Sequence, residues 1–475
     1  MHLDSSVLNA IPKPDEAMVD ELLREELKNF RAKLVVLDDD PTGVQTVHDV
    51  YVYTSAEPEL LKDAFEDDRR LFYILTNSRG LTAAQTEKLH RELADQVDRA
   101  AKAQGCDYYF ISRSDSTLRG HFPLETSVLR ECYERNTGIG IDGEVLCPFF
   151  LEGGRFTVDN VHYVRYGDEL IPACETEFAK DPTFGYKALT MPEYIEEKTG
   201  GAFPASGVLC ISLEELRAAD LQGIEEKLMA VTDFRKIVVN AADEIDLKVF
   251  AIALYRAMEK GKHFMFRTAA SIVKIMGGIS SKPLLTAEEM LPEGKAENGN
   301  GGIIVAGSHT AKTTAQLKEL ESLPGIRMIE LNASLVGQEE AFRQEVERCI
   351  REEEELIRQG LTACCYTSRK LISADTGDKE DELRLSMRIS DAVQSLVGSL
   401  KVQPSFIIAK GGITSSEIGT KALGVKKALV LGQIEAGIPV WKTGPESRFP
   451  GVPYVIFPGN VGDEGALKRA AEKLM

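Results

Sequence analysis

The sequence predicts an α/β fold of two domains, each a mostly parallel sheet flanked by helices, with a cleft between them. Apolar β-type runs alternate with amphipathic helical stretches, and the runs are nearly uninterrupted, as is typical of parallel strands covered on both faces. The alternation occurs twice, on either side of the polar, Gly- and Asn-rich stretch 292–302, which we interpret as a linker. We therefore expect one domain over residues 1–295 and a second domain over residues 296–475.

The N-terminal half contains the first set of predicted strands and one well-marked helix. The strands are expected at residues 33–37, 50–53, 71–75, 108–111, 207–211 and 236–239. The helix covers residues 82–103, where Thr82 and Gln85 have the spacing of a capping box. Residues 155–172 interrupt the α/β pattern, and we expect them to form a hairpin or a lid that turns near Gly167.

The C-terminal half repeats the alternation. Its strands are expected at residues 302–306, 327–331, 361–366, 405–409 and 454–457. A long charged helix is expected at 338–358, and its four consecutive glutamates at 352–355 are expected to form a solvated face. Because open α/β sheets bind ligands at the carboxyl ends of their strands, we expect a ligand there, between the two domains.

Composition and charge exclude several classes of function. With 43% hydrophobic and 28% charged residues among 475, the chain has the make-up of an ordinary globular protein. The net charge of −19 argues against nucleic acid as a partner, because phosphate contacts need basic surface. We find neither a membrane-length apolar run nor a signal-peptide pattern, so we expect no membrane association and a cytoplasmic location. The eight cysteines form no CxxC pair, and we predict no metal site in the protein itself.

The stretch LVVLDDDPTGV at 34–44 places three carboxylates after an apolar strand, and two interpretations compete. The pattern DxDxT is typical of phosphatases that form a phospho-aspartate, with Asp38 as nucleophile and Asp40 as acid and base. Asp243 and Asp246 would then supply the late acidic pair of that mechanism. Alternatively, the acidic cluster binds a polyhydroxylated substrate and activates one of its hydroxyl groups.

Two further polar stretches follow strands of the N-terminal half. SRSDSTLRGH at 112–121 contains hydroxyls, a carboxylate and two guanidinium groups, and NSR at 77–79 ends the neighbouring strand. Arginine binds carboxylates with bidentate geometry, and Asp and Ser suit sugar hydroxyls. The candidate substrate-binding residues are Thr42, Asn77, Ser78, Arg79, Ser116 and Arg119.

In the C-terminal half, three strands are each followed by a glycine turn and a helix start. The turns contain Gly411 and Gly412, Gly307 and Ser308, and Gly459. Glycines let the backbone approach a phosphate closely, and amides at a helix start bind anions. Three such junctions at one end of one sheet indicate a nucleotide phosphate site, although the chain contains no P-loop motif. Nearby, Thr414 adds a hydroxyl donor and Lys410 a charge.

Taken together, these motifs resemble the four-carbon acid sugar kinases. The shared motifs are DDDPTG at 38–43, TNSRG at 76–80, SDSTLRGH at 114–121, GRFTVDNVHYV at 154–164, TEFAKDP at 176–182, GSHTAKTTAQL at 307–317, GGIT at 411–414 and PGNVG at 458–462. The resemblance implies a substrate domain followed by a nucleotide domain, with ATP-dependent phosphorylation of the terminal hydroxyl of a tetronate such as threonate, erythronate or 3-oxo-tetronate. The ATP-binding positions that it implies are Ser308, Gly411, Gly412, Ile413, Thr414 and Gly459.

For catalysis, we expect Asp39 or Asp40 to accept the proton of the attacking hydroxyl, with Asp115 as the competing candidate. Arg119 is expected to hold the carboxylate of the sugar acid. ATP with Mg²⁺ is the expected cofactor, because phosphoryl transfer depends on positioning and electrostatic stabilisation. A homodimer is a further expectation, and a non-catalytic sugar-acid-binding protein is the remaining alternative.

The chain departs from the usual family motif at three positions. Pro41 stands where leucine is usual, Thr46 stands where an aspartate is common, and His121 replaces asparagine. We therefore expect the substrate pocket to differ in detail from that of other members.

Overall fold

The computed structural model describes residues 2–291, 299–369, 379–459 and 461–475, so most of the predicted linker, 292–298, lies outside the described residues. Contacts divide the chain into two units. The N-terminal unit comprises Met1–Thr46 and Ser55–Ser281, and the C-terminal unit comprises Val47–Thr54 and Lys282–Met475. The assignment of substrate and nucleotide binding to residues 1–295 and 296–475 stays a prediction.

The described elements up to residue 281 are mostly short strands and medium-length helices. The strands are β1 (Leu3–Asp4), β2 (Lys33–Asp38), β3 (Val50–Tyr53), β4 (Leu71–Leu75), β5 (Tyr108–Arg113), β6 (Gly143–Cys147), β7 (Arg155–Val158), β8 (Val161–Tyr166), β9 (Glu169–Pro172), β10 (Leu209–Ile211), β11 (Arg235–Val239) and β12 (Phe264–Thr268). The α-helices are α1 (Glu16–Asn29), α2 (Pro58–Glu66), α3 (Ala83–Gln104), α4 (Leu124–Thr137), α5 (Met191–Lys198), α6 (Leu213–Arg217), α7 (Leu221–Met229), α8 (Glu244–Glu259) and α9 (Ala270–Gly277).

The described elements after residue 281 continue the series. The strands are β13 (Ile303–Ala306), β14 (Ile326–Leu331), β15 (Thr362–Thr367), β16 (Ile407–Lys410), β17 (Lys427–Glu435), β18 (Ile438–Thr443) and β19 (Pro453–Phe457). The α-helices are α10 (Ala287–Met290), α11 (Ala311–Glu321), α12 (Glu339–Arg358), α13 (Lys379–Gly398), α14 (Gly412–Glu417) and α15 (Ala466–Leu474). Across the described part of the chain, no helix combines the length and the apolar character that a membrane crossing demands.

A parallel sheet in the order β10-β11-β6-β12-β5-β2-β4 forms the centre of the N-terminal unit. The central strands β6 and β12 were not predicted, because each carries a charged residue in a short apolar run. Glu144 of β6 is fully buried and accepts a hydrogen bond from Lys236 of the neighbouring strand β11. Arg267 of β12 is only 3% exposed. The α/β class with mostly parallel sheets is confirmed.

The stretch 155–172 forms an antiparallel sheet of its own, in the order β1-β9-β8-β7. Asp159 and Asn160 have positive φ values of 49° and 64° and make the tight turn between β7 and β8. Gly167, with a φ of 61°, lies in the turn between β8 and β9, where the sequence predicted it. The predicted hairpin is therefore confirmed, with one additional strand.

The C-terminal unit contains the strand order β3-β17-β18-β19-β16-β13-β15-β14. The pairs from β19 to β14 are parallel, whereas β3, β17, β18 and β19 pair antiparallel. Strand β3 has the predicted bounds, but it pairs with β17, almost 400 residues later, with Tyr53 beside Lys427. Such a long-range partner cannot be predicted from local alternation.

The expectation of a solvated glutamate face on α12 is wrong at one position. Glu353 is fully buried, whereas Glu352 and Glu355 are exposed. Burial raises the pKa of Glu353 well above its usual value. The helical period turns one residue of the glutamate run toward β15, and a charge count alone does not reveal which one.

Candidate functional site

Three neighbouring strands of the N-terminal unit end at the same edge of its sheet. Strand β2 pairs in parallel with both β4 and β5, so Asp38 lies beside Leu75 on one side and Arg113 on the other. The motifs DDDPTG, TNSRG and SDSTLRGH begin at these three strand ends. The parallel pairing therefore brings three motifs of distant sequence position to one edge.

Asp38 is an internal support of this edge. Its side chain is 2% exposed, and its Oδ1 accepts a hydrogen bond of 2.9 Å from Arg113. A Cβ at Gly43 would lie 2.1 Å from the same oxygen, so the following turn can close only over a glycine. Burial raises the pKa of Asp38. A buried, arginine-bound carboxylate covered by a turn is poorly placed as a nucleophile, which disfavours the phospho-aspartate alternative.

The proposed late acidic pair of that alternative serves α8 instead. Asp243 is the N-cap of the helix and pairs with Lys13. Asp246 is fully buried, pairs with Arg217 and accepts hydrogen bonds from two backbone amides at the helix start. Both carboxylates are thus engaged in capping and ion pairing.

Asp39 is bound by two arginines. Arg79 donates two hydrogen bonds to it, from Nη2 to Oδ1 at 2.6 Å and from Nε to Oδ2 at 3.1 Å. Arg113 adds a contact of 3.3 Å to Oδ1. Burial nevertheless raises the pKa of Asp39, against the effect of both positive charges.

Asp40 differs from its neighbour in exposure. Its side chain is 20% exposed, compared with 2% for Asp39. Its Oδ1 accepts hydrogen bonds from the amide and hydroxyl of Thr42, at 2.9 and 2.6 Å, and its Oδ2 lies 3.2 Å from Nη1 of Arg79. Burial alone would raise the pKa of Asp40, but the Arg79 charge and the Thr42 hydrogen bonds outweigh it and hold the pKa below its usual value.

Asp115 is the third carboxylate of the cluster and contacts two arginines. It accepts hydrogen bonds from Nε and Nη2 of Arg119, at 2.8 and 3.1 Å, and lies 3.8 Å from Nη1 of Arg79. These charges and the Thr117 hydroxyl outweigh burial and hold the pKa of Asp115 far below its usual value. Arg119, which we expect to bind the substrate carboxylate, is thus already anchored along one edge of its guanidinium group.

The remaining substrate candidates fall into different environments. Ser78 is fully buried and donates a hydrogen bond of 2.6 Å to Glu125, so its hydroxyl supports the strand ends. Asn77 is partly exposed and adopts a left-handed backbone with φ of 51° at the turn after β4. Ser116 is also partly exposed, and its carbonyl accepts a hydrogen bond from His162.

Three ring side chains that sequence reasoning did not single out hold the loop after β5. His162 donates to the carbonyl of Ser116 at 2.7 Å, Tyr186 to that of Thr117 at 3.2 Å, and Tyr194 to that of Leu118 at 2.9 Å. Because a carbonyl only accepts, His162 carries its proton on Nε2, and its Nδ1 accepts from the Thr157 hydroxyl. Burial lowers the pKa of His162 to about 4. The motif GRFTVDNVHYV contains His162 and Thr157, but not Ser116, whose carbonyl His162 contacts.

At two of the three departures from the family motif, the side chain makes structural contacts. Thr46 is buried and donates its hydroxyl to the carbonyl of Ala270 at 3.2 Å. His121 donates to the carbonyl of Leu81 at 2.9 Å and packs edge-on against Phe184. Both side chains therefore serve local packing.

In the C-terminal unit, the glycine turns after β13, β16 and β19 converge. The strands are neighbours, with Ala306 beside Lys410 and Lys410 beside Phe457. A Cβ at Gly307 would lie 2.4 Å from Oγ1 of Thr414, and a Cβ at Gly459 would lie 3.8 Å from Oγ of Ser308. The predicted junctions therefore surround one small space lined by backbone and hydroxyl groups.

Other predicted positions of this cluster lie around the same turn. Gly411 has a φ of 126° and would place a Cβ 3.5 Å from Cβ of Ser308. Gly412 is the first residue of α14, and Ile413 is 73% exposed, an unusual position for a large apolar side chain. Asn460 of the motif PGNVG lies outside the described residues.

A hydroxyl cluster and an arginine complete the surroundings of Ser308. Oγ1 of Thr313 lies 3.1 Å from Oγ of Ser308 and 3.0 Å from Oγ1 of Thr310, which caps α11. Arg369 donates to the carbonyls of Ser308 and Thr310, at 2.5 and 3.3 Å, and to the hydroxyl of Thr314. Sequence reasoning missed Arg369, because no strand or turn pattern marks it.

Lys410 is fully buried beneath these turns. Its ammonium group donates to the carbonyls of Pro458 and Gly459, at 2.6 and 3.2 Å, and lies over the Phe457 ring. Burial lowers its pKa to about 7. Lys410 thus supports the turn after β19 from below.

The donor set of the C-terminal cluster fits a nucleotide phosphate. Backbone amides at glycine turns and hydroxyl groups bind phosphate oxygens, and here Lys410 and Arg369 fix the turns that carry them. Within the described ranges, no three His, Cys, Asp or Glu side chains are grouped so that they could hold a metal ion. The turns and hydroxyl groups thus fit the phosphates of a nucleotide.

Comparison with known families matches the two halves of the chain to two domain families. Residues 34–276 match the family described as a sugar-binding N-terminal domain, and residues 303–467 match a nucleotide-binding C-terminal domain. The first match alone covers more than half of the chain. The two matches thus place the chain in a class of proteins in which a sugar-binding domain precedes a nucleotide-binding domain.

Similar proteins narrow this class. The chain is 26% identical over 303 residues to a D-erythronate kinase of Heliobacterium modesticaldum. The similarity covers 61% of this chain and 61% of the relative, which is less than two thirds of the relative's length. A solved Haemophilus influenzae protein from a family of unknown function has 17% identity and a TM-score of 0.61, covering 93% of this chain and 100% of that chain. A Salmonella typhimurium protein described as a tRNA synthase has 16% identity and a TM-score of 0.63, covering 92% and 98%. The chain belongs to the four-carbon acid sugar kinase family.

Proposed function

We propose that this protein is an ATP-dependent kinase that phosphorylates the terminal hydroxyl of a four-carbon sugar acid, such as a threonate, an erythronate or a 3-oxo-tetronate. The observation that carries the proposal is the cluster around Arg79, which contacts Asp39, Asp40 and Asp115 in the sugar-binding half of the chain. The match of the other half to a nucleotide-binding domain and the similarity to an erythronate kinase support it.

Asp40 is the proposed acceptor of the hydroxyl proton. Its side chain is 20% exposed, whereas those of Asp39 and Asp115 are 2% and 11% exposed. Among the described residues, its Oδ2 receives one hydrogen bond, from Arg79, and so keeps a lone pair for a substrate hydroxyl. Phosphoryl transfer needs positioning more than base strength, so a carboxylate of low pKa that orients the hydroxyl is sufficient.

The other carboxylates hold the arginines in place. Asp39 anchors Arg79, and Asp115 anchors Arg119 through its Nε and Nη2 atoms. Arg119 retains Nη1 for the carboxylate of the sugar acid. The proposed contacts to the sugar acid are Thr42, Asn77, Ser116 and Arg119, and the supporting residues are Ser78 and Arg79.

ATP is the proposed phosphoryl donor. The proposed contacts are Ser308, the backbone of Gly411, Gly412, Ile413 and Thr414, and Gly459. Lys410 fixes the turn that contains Gly459, and Arg369 fixes the turn that contains Ser308. Bound Mg-ATP supplies the transferred phosphoryl group, and the metal ion offsets its negative charge. Mg²⁺, the cytoplasmic location and the homodimer remain predictions from the sequence.

The test is to identify the product. The protein is incubated with Mg-ATP and a mixture of tetronates, and the product is analysed by mass spectrometry and by phosphorus NMR. We expect a single phosphorylated tetronate, with the phosphorus coupled to the protons of the terminal carbon. Phosphate esterified at an internal carbon would contradict the proposed acceptor, and free phosphate without any ester would contradict the kinase itself. The variant D40N is the control for contaminating kinases.

A further inference from the structure

Arg155, the first residue of β7, is a cation without a partner of opposite charge among the described residues. Its one hydrogen bond runs from Nη1 to the carbonyl of Gly153. Its Nε is buried and has no acceptor in the part of the chain that the structure describes. A buried guanidinium donor without a partner is costly, because the group loses its hydration and gains nothing in return.

Three arginines of the neighbouring motifs are compensated by carboxylates. Arg79, Arg113 and Arg119 each contact at least one carboxylate within 4 Å. Burial lowers the pKa of Arg155, whereas the carboxylates raise that of Arg119. Arg155 therefore differs from these three arginines, since it makes no ion pair within 4 Å among the described residues.

Arg155 and Arg119 share one aromatic ring. The guanidinium carbon of Arg119 lies 5.2 Å from the ring centroid of Phe178, and that of Arg155 lies 5.4 Å from the same centroid. Both distances are within the range of cation–π contacts. Phe178 thus contacts both guanidinium groups. Burial lowers the pKa of Arg155 and the positive charge of Arg119 lowers it further, so an anion bound there would relieve this repulsion.

Arg119 and Arg155 keep complementary donors for that anion. Arg119 uses Nε and Nη2 for Asp115, which leaves Nη1. Arg155 uses Nη1 for Gly153, which leaves the Nε edge. A planar carboxylate accepts hydrogen bonds on both oxygens, so one carboxylate can take a donor from each arginine.

We propose that Arg155 and Arg119, held over Phe178, form the carboxylate-binding pair of the substrate site, and that Arg155 is the residue that selects acids over neutral sugars of the same length. This inference rests on the proposed function, because it assigns a role within the sugar-acid site. It also gives the hairpin β7–β8 a direct part in substrate binding, beyond the support that His162 provides to the loop after β5.

The test compares R155Q and R155K with the wild-type enzyme, using the preferred tetronate and its uncharged primary amide as substrates. A hydrogen bond to a charged group contributes about 1.5–3 kcal/mol, so R155Q should raise the KM for the acid about 10- to 100-fold. We expect the kcat for the acid, the KM for ATP and the KM for the amide to change by less than about threefold. R155K should restore part of the affinity, because it retains the charge without the planar fork.

The matched control is R165Q, which removes the same charge from an exposed arginine on the adjacent strand β8. R165Q should keep the wild-type KM for the acid. Calorimetric binding of the tetronate without ATP gives a second readout that is independent of turnover.

The possible outcomes distinguish the proposed role of Arg155 from the proposed kinase function. A wild-type enzyme that phosphorylates the acid, together with an R155Q variant of unchanged KM, overturns this inference alone. An R155Q variant that binds ATP more weakly and the acid normally also overturns this inference, since the anion at Arg155 would then be a phosphate. A wild-type protein that neither binds nor phosphorylates any tetronate overturns both the inference and the proposed function.

Discussion

Arg79 binds Asp39 through two hydrogen bonds of 2.6 and 3.1 Å, and its Nη1 atom lies 3.2 Å from Asp40. One side chain after β4 thus links two adjacent carboxylates after β2. The three like charges at the end of β2 are tolerated because Arg79 and Arg113 neutralise them. The two carboxylates that Arg79 contacts differ in exposure, since the Asp39 side chain is enclosed and the Asp40 side chain is partly exposed.

The first prediction concerns the stability that this linkage provides. Replacing Arg79 by glutamine leaves Asp39 buried without its bidentate partner, and breaking a buried ion pair in this way costs about 3–5 kcal/mol. We expect R79Q to lower the free energy of unfolding by this amount in chemical denaturation. The control R343Q removes an exposed ion pair with Glu340 and should leave the free energy of unfolding close to the wild-type value. Equal denaturation midpoints for R79Q and R343Q would show that the contacts of Arg79 with Asp39 and Asp40 add no stability.

The second prediction concerns the proton acceptor. D40N should lower kcat by about 10²- to 10⁴-fold, the usual loss of a general base, while binding of the tetronate is retained. Because the Arg79 charge and the Thr42 hydrogen bonds hold the pKa of Asp40 below its usual value, Asp40 stays ionised and should itself contribute no change in rate between about pH 8 and about pH 5. A D39N variant that loses kcat as strongly as D40N is expected to, together with a wild-type rate that falls on acidification within that range, would assign the role to Asp39, whose pKa burial raises.

The third prediction concerns His162 and the pH dependence of stability. Burial lowers its pKa to about 4, below the ordinary value of 6.5 that the unfolded chain would show. Between these values the unfolded chain binds the proton more tightly, so stability falls as the pH falls from 6.5 toward 4. The loss attributable to His162 is up to about 3 kcal/mol. H162Q should therefore show a weaker decline in the free energy of unfolding over this interval.

The matched variant for that measurement is H121Q, which replaces a partly exposed histidine of the neighbouring loop. It should keep the wild-type decline. If H162Q and the wild-type protein lose stability in parallel on acidification, the buried neutral state of His162 is not the cause.

The fourth prediction concerns the glycine turns. In G307A the new Cβ would lie 2.4 Å from Oγ1 of Thr414, so either that hydroxyl rotates away or the turns after β13 and β16 separate. Losing one or two hydrogen bonds to a charged phosphate weakens binding about 10- to 100-fold, measured by calorimetry with a non-hydrolysable ATP analogue. G337A has no heavy atom within 4 Å of its new Cβ and should bind the analogue normally. Unchanged affinity in G307A would remove this turn from the nucleotide site.

The parts of the structure that were predicted from sequence are those encoded locally. Alternating apolar runs located β4 to the residue, and the capping box placed the start of α3. The motifs at strand ends pointed to Asp39, Asp40 and Arg79 because parallel pairing brings such ends together. The same rule located the turns around Ser308.

The parts that were missed depend on partners that are distant in sequence. Strand β6 carries Glu144, whose charge is compensated by a residue of β11, so its sequence does not look like a buried strand. The carbonyl contact of His162 and the ring shared by Arg155 and Arg119 form only when the antiparallel hairpin is folded. Arg369 lies next to Ser308 only through strand pairing. No local pattern marks such residues.

The most direct measurement is a coupled ADP-release assay with Mg-ATP and a panel of D- and L-threonate, D- and L-erythronate, 3-oxo-tetronates and 4-hydroxy-threonine. We predict that ADP release depends on one member of the panel and that D40N abolishes it. ADP release that is independent of every panel member, in a protein that binds ATP, would contradict the sugar-acid kinase. A protein that neither releases ADP nor binds ATP would contradict the nucleotide site as well.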